Sequence, residues 1–337
     1  MVCLRKSGDC LWQENIFDLF VLMPSCSIVI AEYNNGKYFT ELYDSIVGQS
    51  ISDFEVVLVD DFSTDDTVAL IKEKILHDNR FKIIQHTSNK GAGAAFKKAL
   101  EHASSEVILM LGADDALHKD GIKIISEAHR QYPEASLINF SLYYCDENLK
   151  VISESNFHKE PSDGEYFYWT TKGIDTFKKS KYLETGGFDE KLKSAVDQDI
   201  CFKLEETGDT IHIDKVVYYY RANPKGISQS NNMFAAKINY CISVFNTYTR
   251  RKNSGFKNIS ANKLREITCE YYYYKAFNYD RKGQYLKSFG WLLNGYLQSK
   301  LYQVNLSEEM KKEIGYSMHH IMHQNRISKC VKKIIKK

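Results

Sequence analysis

No run in this 337-residue chain approaches the ~18 consecutive apolar residues that a membrane-spanning helix requires. A dominant charge is missing too. Lys and Arg number 45 against 43 Asp and Glu, a net +2, which is too small an excess for a nucleic-acid binder. The eight cysteines (Cys3, Cys10, Cys26, Cys145, Cys201, Cys241, Cys269, Cys330) include no CxxC pair. That argues against a zinc site or disulfide framework and for reduced thiols in a cytoplasmic protein. No secretory signal is legible: the apolar piece Ile16–Met23 is short, carries Asp18 and follows Asp9 and Glu14. It reads instead as a strand or helix packing on the main domain.

What is present suits one large α/β domain with a smaller domain appended. Tyrosine is abundant, at 23 residues; such rings line sugar sites and also fill ordinary cores.

The chain is organised around Ser27 to Asp66. Ser27–Ala31 is a short β-branched run suited to a strand buried on both faces. Phe39, Leu42, Tyr43, Ile46 and Val47 then recur at helical spacing, closed by Gly48 and Ser50. Glu55–Val59 is a second buried strand, and it runs into Asp60 and Asp61. Two carboxylates there suit a ligand better than a core, because open α/β sheets bind at the carboxyl ends of their strands. Ser63 or Thr64 is expected to cap a helix carrying Asp65 and Asp66 in its first turn. Phe81–His86 reads as a strand, Asn89–Gly93 as a glycine-bearing loop, and Val107–Leu111 as an apolar strand ending in Gly112-Ala113-Asp114-Asp115. Later strands are expected at Ala135–Leu142, Thr210–Ile213 and Val216–Tyr220. From about Met233 the pattern turns helical. Three helices follow, centred on Phe234–Phe245, Leu264–Tyr274 and Tyr285–Tyr296, with the last two joined at Arg281–Gly283.

The SIVIAEYNN strand, the VLVDDFSTDDT loop, the GADD turn, and Gly186-Gly187-Phe188-Asp189-Glu190 followed by Asp197-Gln198-Asp199-Ile200 together resemble family 2 glycosyltransferases over roughly residues 25 to 228. The resemblance implies the type A nucleotide-sugar fold, a mixed, mainly parallel α/β sheet with helices on both faces. It divides the chain into an extension (1–24), a catalytic domain (25–230) and a helical C-terminal domain (231–337). It implies inverting transfer of a sugar from a nucleoside-diphosphate sugar, a UDP-sugar foremost, to the hydroxyl of a sugar or lipid-linked sugar acceptor. Surface polysaccharide synthesis, of capsule or lipopolysaccharide, is the implied setting. The absence of a QxxRW-like segment favours single addition over processive polymerisation.

Residue roles follow from the same resemblance. Asp114 and Asp115 take the metal and diphosphate role, because Mn²⁺ or Mg²⁺ between carboxylates and phosphates relieves their repulsion. Gly112 stands where that motif often has its first Asp. Asp197 is the general base by position, with a plain helix N-cap as the alternative; Val196 replaces the usual preceding Glu. Asp199 supports either the phosphate side or the helix start. Ala31, Glu32 and Tyr33, with Asp60 and Asp61, bind base and ribose, and Asp61 is the base contact. Lys90 and Gly91 bring backbone N–H groups and a positive charge near the diphosphate, or form a plain turn. Arg221 or Lys225 either neutralises the leaving diphosphate or makes a surface salt bridge, and Asn223 stands where a His often does. Trp169 borders the acceptor pocket, by packing or by stacking.

Two rival readings are a nucleotidyltransferase, which AEYNNGKYF supports poorly, and a nucleotide-sugar-binding protein without catalysis, which Gly112 and Val196 keep open. In the tail, Ile327, Cys330, Val331, Ile334 and Ile335 face away from Lys329, Lys332, Lys333, Lys336 and Lys337. Such a helix either lies peripherally on the inner face of an anionic membrane or docks on its own domain. An oligomer is left open.

Overall fold

The computed structural model describes residues 2–6, 9–13, 23–155, 174–226 and 233–323. Most of Ile16–Met23, the Trp169 segment, Ile227-Ser228 and the basic tail lie outside the described residues. Strands β1 (Val2–Lys6) and β2 (Asp9–Gln13) pair antiparallel. The main unit then runs β3 (Ser27–Glu32), α1 (Gly36–Val47), β4 (Glu55–Asp60), α2 (Thr67–Ile75), β5 (Phe81–Gln85), α3 (Ala92–His102), β6 (Val107–Gly112), β7 (Ala116–Leu117) and α4 (Gly121–Gln131). It continues as β8 (Ala135–Cys145), β9 (Val151–Glu154), β10 (Ile174–Lys178), α5 (Lys179–Glu184), α6 (Val196–Leu204) and β11 (Asp209–Arg221). Four helices follow: α7 (Met233–Arg251), α8 (Ala261–Arg281), α9 (Tyr285–Tyr302) and α10 (Glu308–His323).

Among the described residues, nine strands form one sheet in the order β5-β4-β3-β6-β10-β8-β11-β7, with β9 paired to β8. Strands β3, β4, β5 and β6 are parallel, β10 runs antiparallel to both β6 and β8, and β11 is parallel to β8. The expected mixed, mainly parallel sheet is therefore present, flanked by helices and followed by a helical part.

The reason is the period-2 alternation of the strands. Ile28, Ile30, Val56 and Leu58 face Phe39, Leu42 and Ile46 of α1 and Ile122 and Ile125 of α4. Val29, Val57 and Val59 face Ala95 and Ala99 of α3 and Val196, Ile200 and Leu204 of α6. Every one of these side chains is buried. Strands apolar on both faces need helices on both sides.

Three local expectations are corrected. The two closing strands are one, β11, with register shifts between Ile213 and Val216 that let a single strand bend along β8. Helix α2 starts at Thr67 after an Asp66 N-cap, because Ser63 is used elsewhere. Helix α10, not anticipated, packs Met310 and Ile321 against Phe277 and Leu292. Among the described residues no helix is long and apolar enough to cross a membrane.

The helical part is joined to the sheet domain through α6 and α7. Phe202 of α6 packs with Cys241 and Val244 of α7 and Ile267 of α8. Beside it, buried Arg251 reaches Glu205 at 2.7 Å, Glu206 at 2.7 Å and the Phe202 carbonyl at 3.0 Å. Removing one member of such a buried cluster strands the rest without a counter-charge. Arg251→Met should lower unfolding stability by roughly 3–5 kcal/mol, read as the urea midpoint at unchanged slope. A loss below about 1 kcal/mol would show that the cluster contributes no more than a surface ion pair.

Candidate active site

Parallel pairing brings the acidic segments to one edge. Glu32 lies opposite Asp60 in the β3–β4 ladder, and Ala31 lies opposite Gly112 in the β3–β6 ladder. Their continuations, Tyr33, Asp61 and Asp114-Asp115, therefore leave the sheet side by side. The end of β11 reaches the same edge, where the Arg221 N–H donates to Asp115 Oδ1 at 2.7 Å. Helix α6 descends from this edge, since its last carbonyl, that of Leu204, accepts from Ser136 at the start of β8. Asp197, in the first turn of α6, is exposed and sits at that edge beside the start of α3. The Val196 methyl packs against Gly93, whose missing side chain leaves room for it.

The nucleotide-side loops are tied to each other. The Asp60 carboxylate is buried and accepts from the Ser63 N–H at 3.2 Å. The Asn34 N–H donates to Ser63 Oγ at 2.9 Å, and the Thr64 N–H donates to Asn34 Oδ1 at 2.8 Å. Asp61 is buried and accepts from the N–H groups of Lys90 at 2.8 Å and Gly91 at 2.7 Å, with His86 Nδ1 also at 2.8 Å. Asp61 is thus a clamp on the loop before α3, and in this structure the Lys90 and Gly91 N–H groups are bonded to it. The Lys90 side chain is exposed at the rim.

Glu32 is fully buried. Its Oε1 accepts from the Asn35 N–H at 2.8 Å, and Oε2 has no protein partner. Burial pushes its carboxyl up to about 8; the Asn35 N–H opposes this, and Asp60, Asp114 and Asp65 add to it.

Asp114 and Asp115 have different surroundings. Asp115 is buried, with Oδ1 bonded by the Arg221 N–H and Oδ2 by the Tyr218 hydroxyl. Burial, then the neighbouring Asp114 charge, raises its carboxyl to about 8, against the bonds from Arg221 and Tyr218. Asp115 therefore cross-links the β6–β7 turn and β11. Asp114 is half-buried and held by Asn223 Nδ2 on Oδ2 at 2.6 Å. Among the described residues no hydrogen bond takes its Oδ1, and no group of three or more His, Cys, Asp or Glu could hold a cation unaided. One hard carboxylate completed by phosphate oxygens is a donor set that Mg²⁺ or Mn²⁺ accepts.

Gly112 also has a structural reason. A Cβ there would sit 2.2 Å from Asp115 Oδ2 and 3.1 Å from the Tyr218 hydroxyl. The carboxylate missing from the motif is excluded by the packing of the next one.

Arg221 is corrected as well. Its side chain is buried: Nε bonds the Asp114 carbonyl, Nη1 the Glu147 carbonyl and Nη2 Glu41 at 2.7 Å, and it lies 4.5 Å from the Tyr38 ring centroid. It is neither a surface bridge nor available to a leaving diphosphate. Asp199 is buried, with Oδ2 2.7 Å from Lys203 Nζ one turn further along α6. Trp169 lies outside the described residues. Sequence reading missed Tyr38, Glu41, His86 and Tyr218, since none stands in a motif and each acts across more than twenty residues of chain.

The profile named "Glycosyl transferase family 2" matches residues 27–189. Chondroitin synthase of Escherichia coli is 29% identical over 197 residues, 58% of this chain and 29% of that protein. Poly(ribitol-phosphate) beta-N-acetylglucosaminyltransferase TarS of Staphylococcus aureus is 31% identical over 225 residues, 62% of this chain and 37% of that protein. The chain spans less than a third of the length of the curated relatives that it matches first. In three dimensions, the crystal structure of S. aureus TarS in complex with UDP-GlcNAc superposes with a TM-score of 0.59 at 20% identity, covering 88% of this chain and 87% of that one. The mannosyltransferase PcManGT from Pyrobaculum calidifontis, in complex with GDP-Man and Mn²⁺, gives 0.51 at 15% identity over 90% of this chain and 82% of that one. These two likenesses establish the fold.

Two outcomes follow from the site. Gly112→Ala should destabilise the chain by roughly 1–3 kcal/mol through overpacking; an unchanged melting temperature would show that the Asp115–Tyr218 contact yields freely. Glu32 holds a proton between pH 4.5 and about 8 that the unfolded chain has lost. Stability should therefore fall as pH rises through that window and level off above it. Glu32→Gln keeps the acceptor for Asn35 and removes this titration, so its melting temperature should fall less steeply across the window. The Asp115 slope, of the same sign, remains. A variant slope equal to that of the wild type would remove Glu32 as a source.

Proposed function

We propose that this chain, which matches the glycosyl transferase family 2 profile through residues 27–189, transfers a sugar from a nucleoside-diphosphate sugar, a UDP-sugar foremost, to an acceptor hydroxyl. The observation that carries this reading is the arrival of the β3, β4 and β6 strand ends, the end of β11 and the Asp197 turn at one sheet edge, with Asp114 held by Asn223. Relatives named chondroitin synthase and poly(ribitol-phosphate) beta-N-acetylglucosaminyltransferase support a surface polysaccharide as the product. The acceptor is then a sugar or lipid-linked sugar.

Ala31, Glu32, Tyr33 and Asp60 line the base and ribose side. Asp114 is the carboxylate that would hold a divalent cation, Mn²⁺ or Mg²⁺, whose chemistry when bound would be to neutralise diphosphate charge. The neutral form of Glu32, favoured by its burial, limits the negative charge facing that diphosphate. Lys90 adds positive charge at the rim. Asp197 takes the proton of the acceptor hydroxyl while the hydroxyl oxygen attacks the anomeric carbon and the bond to the diphosphate breaks on the opposite face. A sugar alcohol is a poor nucleophile at neutral pH, so proton removal during attack lowers the barrier. Asp197 suits this task because it is exposed at the edge, whereas Asp199 is buried.

The experiment is transfer and donor hydrolysis measured over UDP-, GDP- and dTDP-sugars with and without Mn²⁺. Nucleotide binding without turnover under every condition would favour the non-catalytic reading, to which the lone carboxylate at Asp114 lends weight. Asp197→Asn should lower kcat by roughly 10²–10⁴-fold with UDP binding little changed. Wild-type turnover in that variant would remove Asp197 from the chemistry.

A further inference from the structure

We propose that the Phe62 ring is a stacking wall for the base of the donor nucleotide; the inference rests on the nucleoside-diphosphate-sugar reading of the edge. Phe62 lies between the two tied points of the β4 loop. Asp61 before it is clamped by Lys90, Gly91 and His86, and Ser63 after it bonds Asp60 and Asn34. The backbone between these ties is forced to φ 70° at Phe62. Glycine adopts that left-handed region freely, whereas a bulky side chain there is a conformational outlier.

Packing does not account for the phenylalanine either. Its side chain is 47% exposed, and among the described residues no other ring lies against it. A residue that is costly to the backbone and gains little by burial is explained by what it meets outside the chain.

The neighbourhood says what that is. Tyr33, 43% exposed, follows Glu32, the residue paired with Asp60, and the Asp61 N–H donates to the Glu32 carbonyl. Two exposed aromatic residues thus follow adjacent strand ends that carry the buried carboxylates Glu32, Asp60 and Asp61. A planar heteroaromatic ring with a polar ribose diphosphate is the ligand chemistry such an edge fits. The ring stacks on aromatic faces, and the charged part extends toward Asp114. Stacking is tolerant of base identity, so Phe62 contributes affinity for the nucleotide and little choice of base.

The test uses the full chain, with UDP and Mn²⁺ as the titrated probe and thermal melting measured alongside. Phe62→Gly should bind UDP roughly tenfold more weakly, the order of one lost base–aromatic stack. Its melting temperature should not fall, because glycine relaxes the left-handed backbone. Phe62→Leu should show the same weakening, and Phe62→Tyr should restore binding. Wild-type affinity in Phe62→Gly or Phe62→Leu would overturn the inference while leaving the proposed function standing. Failure of the unaltered chain to bind UDP, GDP or dTDP would overturn both.

Discussion

The site depends on a buried carboxylate whose two oxygens are both bonded within the chain. Asp115 is bonded through one oxygen to the Arg221 N–H and through the other to the Tyr218 hydroxyl. In doing so it fastens the turn after β6 to the far half of the sheet, 106 residues away along the chain. That fastening sets the position of Asp114 and brings Asn223 within 2.6 Å of it. It also makes glycine obligatory at position 112, where a Cβ would meet the Asp115 carboxylate. The large majority of polar groups buried this deeply are hydrogen-bonded.

Around this anchor the edge gathers more negative charge than it could hold fully ionised. Glu32 and Asp115 respond by holding their protons to higher pH, with burial as the leading cause in both. Asp60 and Asp61 respond through hydrogen bonds from loop backbone. Asp114 is half-buried and held through one oxygen by Asn223, and Asp197 is exposed. Six carboxylates at one edge thus differ in burial and bonding.

The helical part bears on the same site. Helix α7 holds the loop that leads into α6: Asn239 donates to Ser194 Oγ at 2.8 Å, and Ala195 next to it takes φ 59°. Asp197 follows two residues later. The Arg251 cluster locks α7 to the other end of α6. The helices therefore brace the element that carries the proposed base.

The sequence alone sufficed for whatever depends on neighbours along the chain. Buried strands such as Ser27–Glu32 and Glu55–Asp60 follow from apolar runs, amphipathic helices from their spacing, and the aspartates at strand ends from the step out of apolar sequence. The order of these motifs was enough to suggest the family. Tertiary structure decided what each carboxylate does. Nothing local distinguishes Asp114 from Asp115, or Asp60 from Asp61. The distinction comes from Arg221, Tyr218, Asn223, His86 and the loop at Lys90, which reach the edge from distant parts of the chain. Hydrogen-bond partners and burial are set by packing across the sheet, and no periodicity in the sequence encodes them.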